Sequence, residues 1–206
     1  MKSNYYRLNL NLLSPKQAFN QINENLFRIS LKTPAYVDLI ASLQINHFEY
    51  PSHLHTLCQR DPYQTDIINC YFAPPSNGPY EILIYAKTHN EMKYQETISM
   101  RLNVNNLYQT ITFPLRSHLF FKYQCILIEP FRRLVEVNER IWIFLKIPDA
   151  QMIKILNGDQ LILPNTDEYQ NDFLKKEIFV RGDIRICARW NDKARKFSTI
   201  CMFHMI

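Results

Sequence analysis

Gly78-Pro79-Tyr80-Glu81-Ile82-Leu83-Ile84-Tyr85-Ala86-Lys87 carries the clearest strand signature of the chain. Tyr80, Ile82, Ile84 and Ala86 alternate with Glu81, Leu83 and Tyr85, the period of two in which successive side chains leave opposite faces of a strand. In front of it stands Pro74-Pro75-Ser76-Asn77, a cluster of residues that favour turns. The pattern returns as Ile184, Ile186 and Ala188 beside Arg185, Cys187 and Arg189.

That return belongs to a longer repeat. Counted without a gap, Glu81 to Val104 falls on Asp183 to Ile206, a shift of 102 (81 to 183). Ile82, Ile84, Ala86, Thr97, Ile98 and Met100 then recur as Ile184, Ile186, Ala188, Thr199, Ile200 and Met202. Nearer the start, Leu12-Leu13-Ser14-Pro15 matches Leu127-Ile128-Glu129-Pro130 at a shift of 115 (15 to 130). The same shift pairs Ile22-Asn23-Glu24 with Val137-Asn138-Glu139, and sets Tyr5-Tyr6 on Phe120-Phe121 as the expected first strands. Two copies of one domain are expected, residues 1–104 and 105–206, divided near Asn103-Val104-Asn105-Asn106. Leu107 to Thr112 is expected to bridge them or to add an edge strand, and the second copy is recognisable from Phe113-Pro114.

Other runs are also strand-like. Ile141-Trp142-Ile143-Phe144-Leu145 is β-branched and aromatic on both faces, the composition of a strand inside a packed sheet. Phe19, Ile22 and Leu26 have helical spacing, so that segment is ambiguous. Short strands with frequent turn signals, as at Asn157-Gly158-Asp159, predict an all-β chain with one sandwich per half. Tyr80 fits the tyrosine corner of an immunoglobulin-like sandwich, its hydroxyl folding back onto the preceding loop, with Ile82 where antibody domains place a cysteine. The second copy has Val180, Gly182 and Ile184 at the aligned places, so Phe179 or Trp190 is expected to secure that end.

Composition excludes several activities. The 206 residues carry 47% apolar and 21% charged side chains, ordinary for a globular protein. Three glycines, Gly78, Gly158 and Gly182, cannot write a P-loop, a dinucleotide fingerprint or a kinase glycine loop. The net charge of +5 is dispersed, and Lys193-Ala194-Arg195-Lys196 reads as a solvated hairpin tip, so no nucleic acid is expected as partner. No signal peptide, membrane-length apolar run or N-x-Ser/Thr acceptor occurs, and the five cysteines form no CxxC pair. The expected location is the cytoplasm, without membrane insertion.

Three segments, Phe121-Lys122-Tyr123-Gln124-Cys125-Ile126-Leu127-Ile128-Glu129-Pro130, Gly78 to Lys87 and Ile184 to Arg189, resemble the repeated immunoglobulin-like domains of the kyphoscoliosis peptidase family, which includes hillarin. The resemblance covers almost the whole chain as two tandem copies. It implies association with the cytoskeleton, notably in muscle. In that family such domains follow a transglutaminase-like core with a Cys-His-Asp constellation, none of whose residues can be carried over to this chain.

The residues themselves offer few catalytic candidates. Cys125 and Cys187 stand in strand-like runs and read as small core side chains, Cys70 lies in the strand-like run Ile67 to Phe72, and Cys201 falls on Ser99 in the repeat, an ordinary strand position that argues against a nucleophile. His53-Leu54-His55 with Cys58 is the best metal candidate, since on a strand both imidazoles share a face, with His47 or Asp61 as a further ligand. A polar exposed loop is the stronger reading. Arg181-Gly182-Asp183 spells an adhesion tripeptide at a turn where glycine and aspartate are expected anyway. No catalytic, cofactor or metal residue is therefore assigned. The expectation is a non-enzymatic interaction or scaffold module binding a protein partner, cytoskeletal by the resemblance, through an exposed sheet edge. The alternative is the accessory region of a transglutaminase-like cysteine peptidase whose catalytic domain lies outside this chain, in cis or in trans. Extracellular adhesion is a third, weaker reading.

Overall fold

A computed structural model describes residues 1–22, 24–46, 48–190 and 196–206. The chain divides into two compact units, Met1–Phe113 and Pro114–Ile206. Unit one contains α1 (Ser3–Arg7), β1 (Asn11–Ser14), β2 (Phe19–Ile22), β3 (Phe27–Lys32), β4 (Val37–Ile45), β5 (Phe48–Glu49), α2 (Ser52–His55), β6 (Thr56–Arg60), β7 (Ile67–Phe72), β8 (Gly78–Thr88) and β9 (Gln95–Val104). Unit two contains β10 (Leu115–Arg116), α3 (His118–Lys122), β11 (Ile126–Glu129), β12 (Leu134–Val135), β13 (Arg140–Lys146), β14 (Met152–Asn157), β15 (Gln160–Ile162), β16 (Tyr169–Gln170), β17 (Phe173–Phe179), β18 (Ile184–Arg189) and β19 (Ser198–Met205).

Each unit is a β-sandwich. The first stacks the sheet β1-β3-β7-β6 on β2-β9-β8-β4-β5. The second has β11-β13-β17-β16 and β10-β19-β18-β14-β15, with β12 adding a parallel partner to β19. The alternation of β8 is the reason: Tyr80, Ile82, Ile84 and Ala86 face inward and are buried, while Glu81, Leu83 and Tyr85 are partly open. Burying a side chain the size of Ile82 contributes roughly 1.5–3 kcal/mol. Ile29, Leu31, Ile68 and Phe72 meet them from the other sheet.

Local chemistry repeats between the units. Leu12/Ser14 and Leu127/Glu129 carry matching irregularities in the β1–β3 and β11–β13 ladders, and Ser14–Pro15 and Glu129–Pro130 are both cis. Tyr5-Tyr6 and Phe120-Phe121 are not strands, as expected from sequence, but sit in the short helices α1 and α3. Each helix is stopped one residue after its cap by a left-handed residue, Asn9 (φ 51°) or Gln124 (φ 51°). The N–H of Asn9 then donates to Tyr6 O and that of Gln124 to Phe121 O. The Tyr5 hydroxyl accepts the N–H of Leu12 at 2.8 Å, tying α1 to β1. Phe19 and Ile22, whose spacing left helix open, form β2, parallel to β9.

Two further expectations need correction. The chain divides into its units between Phe113 and Pro114 and not between Val104 and Asn105, because residues 105–113 bond back to unit one. Leu107 N–H donates to Asn77 Oδ1, Gln109 N–H to Asn25 Oδ1 and Phe113 N–H to Leu54 O. This stretch forms no strand. The gapless shift of 102 also fails in the last strand. β8 pairs Ile82 with Met100, whereas β18 pairs Ile184 with Phe203, so Met100 corresponds to Phe203 at a shift of 103. Burial agrees: Thr97 and Ile200 are buried, but Thr199 is exposed. The span between paired Ala86 and Gln95 is eight residues (87–94) and that between Ala188 and Ser198 is nine (189–197). A one-residue offset exchanges the two faces of a strand. Cys201 therefore takes the inward place of Ile98 and not that of Ser99.

Candidate interaction surfaces

The tyrosine corner is present. Tyr80 is 2% exposed; its hydroxyl donates to Ser76 O at 2.9 Å, accepts the Ser76 N–H at 3.1 Å and lies 2.8 Å from Ser76 Oγ. Burial raises the phenol pKa, and the Ser76 bonds oppose that rise. Tyr50 packs 6.0 Å from the Tyr80 ring and 5.5 Å from His55. Unit two secures the same end differently. Asn157, 1% exposed at the end of β14, donates from Nδ2 to Phe179 O at 2.8 Å and accepts the Arg181 N–H on Oδ1 at 2.9 Å. Neither expected aromatic serves: Phe179 points outward, and Trp190 stacks on Tyr123 at 3.8 Å while donating to Pro148 O at 2.8 Å. In sequence, Asn157-Gly158 signals only a turn, and nothing local marks the two partners 22 and 24 residues away.

The metal candidate comes apart. Ser52–His55 is a helical turn, neither the strand nor the loop considered from sequence, so residues two apart diverge around its axis. His53 is exposed, whereas His55 is buried with Nδ1 2.8 Å from Ala73 O. Asp61 is occupied by the N–H groups of Tyr63 and Gln64 and by Asn69 Nδ2. His47 lies outside the described residues, as do Lys193, Ala194 and Arg195 of the basic tip. Among the described residues no three His, Cys, Asp or Glu side chains gather as metal ligands.

All five cysteines are free thiols. Burial pushes Cys125 and Cys201 up to about 12, which keeps both protonated at neutral pH and poor as nucleophiles. Cys187 lies 3.5 Å from Thr199 Oγ1 in the β18–β19 pair. Cys58, half-buried on β6, stands opposite buried Cys70 on β7.

Arg181-Gly182-Asp183 is used within the fold. A Cβ on Gly182 would lie 2.6 Å from the Gly158 Cα, so the two turns approach this closely only because residue 182 is glycine. Asp183 accepts the Met205 N–H at 3.0 Å and lies 3.2 Å from His204 Nδ1. Those bonds, the backbone one foremost, hold its carboxyl below the ordinary 3.8.

Among the described residues, an open aromatic surface lies on the outer face of β13 and β17. Trp142 is 47% and Phe179 44% exposed, with Phe144 and Phe173 half-buried on the same face. Lys175 lies over Trp142 (5.4 Å) and Phe144 (5.8 Å), Lys146 over Phe173 (5.3 Å), and Arg140 pairs with Glu177 at 3.9 Å. β13 is a central strand as its composition suggested, but only one of its faces is packed. On unit one, a groove of about 350 Å³ borders β9 at Ser99 beside Ala18 and Phe19. The Ser99 equivalent in unit two, Met202, pairs with Leu115 of β10.

The model of the KY-like, immunoglobulin-like domain family matches residues 1–115, more than half of the chain. The chain belongs to that family. This agrees with the tyrosine corner and two-sheet core of unit one. No curated protein matches the chain. Among solved structures, a titin I-band fragment shares 13% identity and a TM-score of 0.29, covering 95% of this chain, which spans 65% of that fragment. The N-terminal Ig1-2 module of the Drosophila receptor protein tyrosine phosphatase DLAR shares 13%, covering 95% of this chain and 97% of that one, at a TM-score of 0.25. A marsupial T cell receptor shares 8%, with coverages of 93% and 98% and a TM-score of 0.33. No helix among the described residues is long and apolar enough to cross a membrane.

Proposed function

We propose that this KY-like chain is a non-enzymatic interaction or scaffold module that docks a cytoplasmic, cytoskeletal protein partner. The observation that carries the reading is the β13–β17 face, where Trp142 and Phe179 stay open among Arg140, Lys146 and Lys175. Large rings interleaved with cations are the composition of interface hot spots, since rings supply area and cations meet acidic groups. Edge-strand addition remains a further mode for the short outer strands. Cosedimentation with a detergent-extracted cytoskeletal fraction of muscle tests the reading. The chain is expected in the pellet, and Trp142→Ala with Phe179→Ala is expected to release it at unchanged far-ultraviolet circular dichroism. Equal pelleting of chain and variant would refute the assignment of the face.

Family membership favours one second reading, the accessory region of a transglutaminase-like cysteine peptidase. Immunoblotting the endogenous product distinguishes the two. A species near the 24.7 kDa of this chain supports the stand-alone module, and a larger one carrying a Cys-His-Asp region supports the peptidase.

A further inference from the structure

β6 and β7 run antiparallel, with Cys58 directly opposite Cys70. The phase of the ladder is fixed at both ends: Ala73 N–H donates to His55 O at 2.9 Å, and Asp61 N–H donates to Ile67 O at 2.8 Å. Alternating inward from either end makes Leu57/Tyr71 and Gln59/Asn69 the hydrogen-bonded pairs. Cys58/Cys70 is then a non-hydrogen-bonded pair. In such pairs the Cα atoms lie about 4.5 Å apart and the side chains approach most closely. A disulfide accepts Cα separations of roughly 4.4–6.8 Å. Cys70 is buried against the core, whereas Cys58 is only half-buried, so an oxidant has one side of approach. The fold does not impose this pair: in unit two the register of Cys70 is taken by Lys176, opposite Ile143 as Cys70 is opposite Ile29.

We propose that Cys58 and Cys70 form a redox-active pair which a peroxide converts into a cross-strand disulfide, fastening the edge strand β6 to β7. The Cys58 thiolate attacks a peroxide oxygen; an S–O bond forms, the O–O bond breaks and hydroxide leaves. The Cys70 sulfur then attacks the Cys58 sulfur. The S–S bond forms, the S–O bond breaks, and the departing hydroxide leaves as water with the Cys70 proton. Two thiols and one peroxide give one disulfide and two waters. Burial pushes the Cys70 thiol well above its ordinary value and the Cys58 contact adds to this, consistent with Cys58 reacting first. The staple also fixes what β6 does for β4. Thr56 Oγ1 donates to Ala41 O at 3.0 Å, and Arg60 Nη2 donates to Ala35 O at 2.9 Å and Val37 O at 3.0 Å. Oxidation holds these donors over the carbonyls of β4 and of the turn that precedes it.

The test treats the reduced full chain with hydrogen peroxide, alkylates remaining thiols in denaturant and maps peptides by mass. Two of the five thiols are expected to be lost, with a linked Cys58–Cys70 peptide pair that a thiol reductant reverses. Under the same dose Cys58→Ser keeps its four thiols. The wild-type map decides even if that variant misfolds. Absence of the linked peptide, sulfinic acid at Cys58 beside a free Cys70, or linkage to another cysteine or another chain would overturn the proposal.

Discussion

Asn157→Ala should weaken unit two, and the structure sets the size of the effect. The carboxamide is buried and serves two backbone groups, Phe179 O and Arg181 N–H, on the segment leading into β18. Alanine leaves both unserved. An unsatisfied buried group costs about 1–3 kcal/mol, but Phe179 and Arg181 are themselves exposed enough for water to reach part of the gap. The expected loss is therefore about 2 kcal/mol, the low end for two groups. Asn157→Asp keeps the acceptor for Arg181 but sets a carboxylate oxygen against Phe179 O, so it should recover none of the loss. The assay follows from the sequence: both tryptophans, Trp142 and Trp190, lie in unit two, so tryptophan emission reports that unit alone. With a urea slope of about 1–2 kcal/mol/M, the emission midpoint should fall by roughly 1–2 M. An unchanged midpoint at an unchanged slope would refute the clamp.

Tyr80→Phe should cost unit one about 1 kcal/mol, since the exposed Ser76 loop rehydrates; tryptophan emission should not move while the circular-dichroism transition does. Gly182→Ala drives a Cβ into the Gly158 backbone, and an overpacking cost of about 1–3 kcal/mol should lower the tryptophan midpoint. The depressed Asp183 pKa makes its bonds to Met205 and His204 stabilising above the ordinary 3.8, and that contribution is lost as pH falls through the lower folded value. An acid titration followed by tryptophan emission should therefore be flatter for Asp183→Asn below pH 3.8 than for the parent chain, and identical curves would exclude the linkage.

The all-β character, the repeat and the tyrosine corner were legible in the sequence alone. Each rests on short-range information: alternation within one strand, identities along two stretches, and a hydroxyl that reaches a loop four residues back. What depends on register between strands emerged only in the folded units. Identities in an alternating apolar strand matched at a shift of 102, but hairpin length sets the pairing at 103. Registers likewise brought Cys58 opposite Cys70, carried Asn157 to a segment more than twenty residues on, and left one face of β13 uncovered. His53 and His55 parted because one helical turn replaced a strand or loop. A period of two says that a strand has two faces, and only the packed partner says which face meets the core.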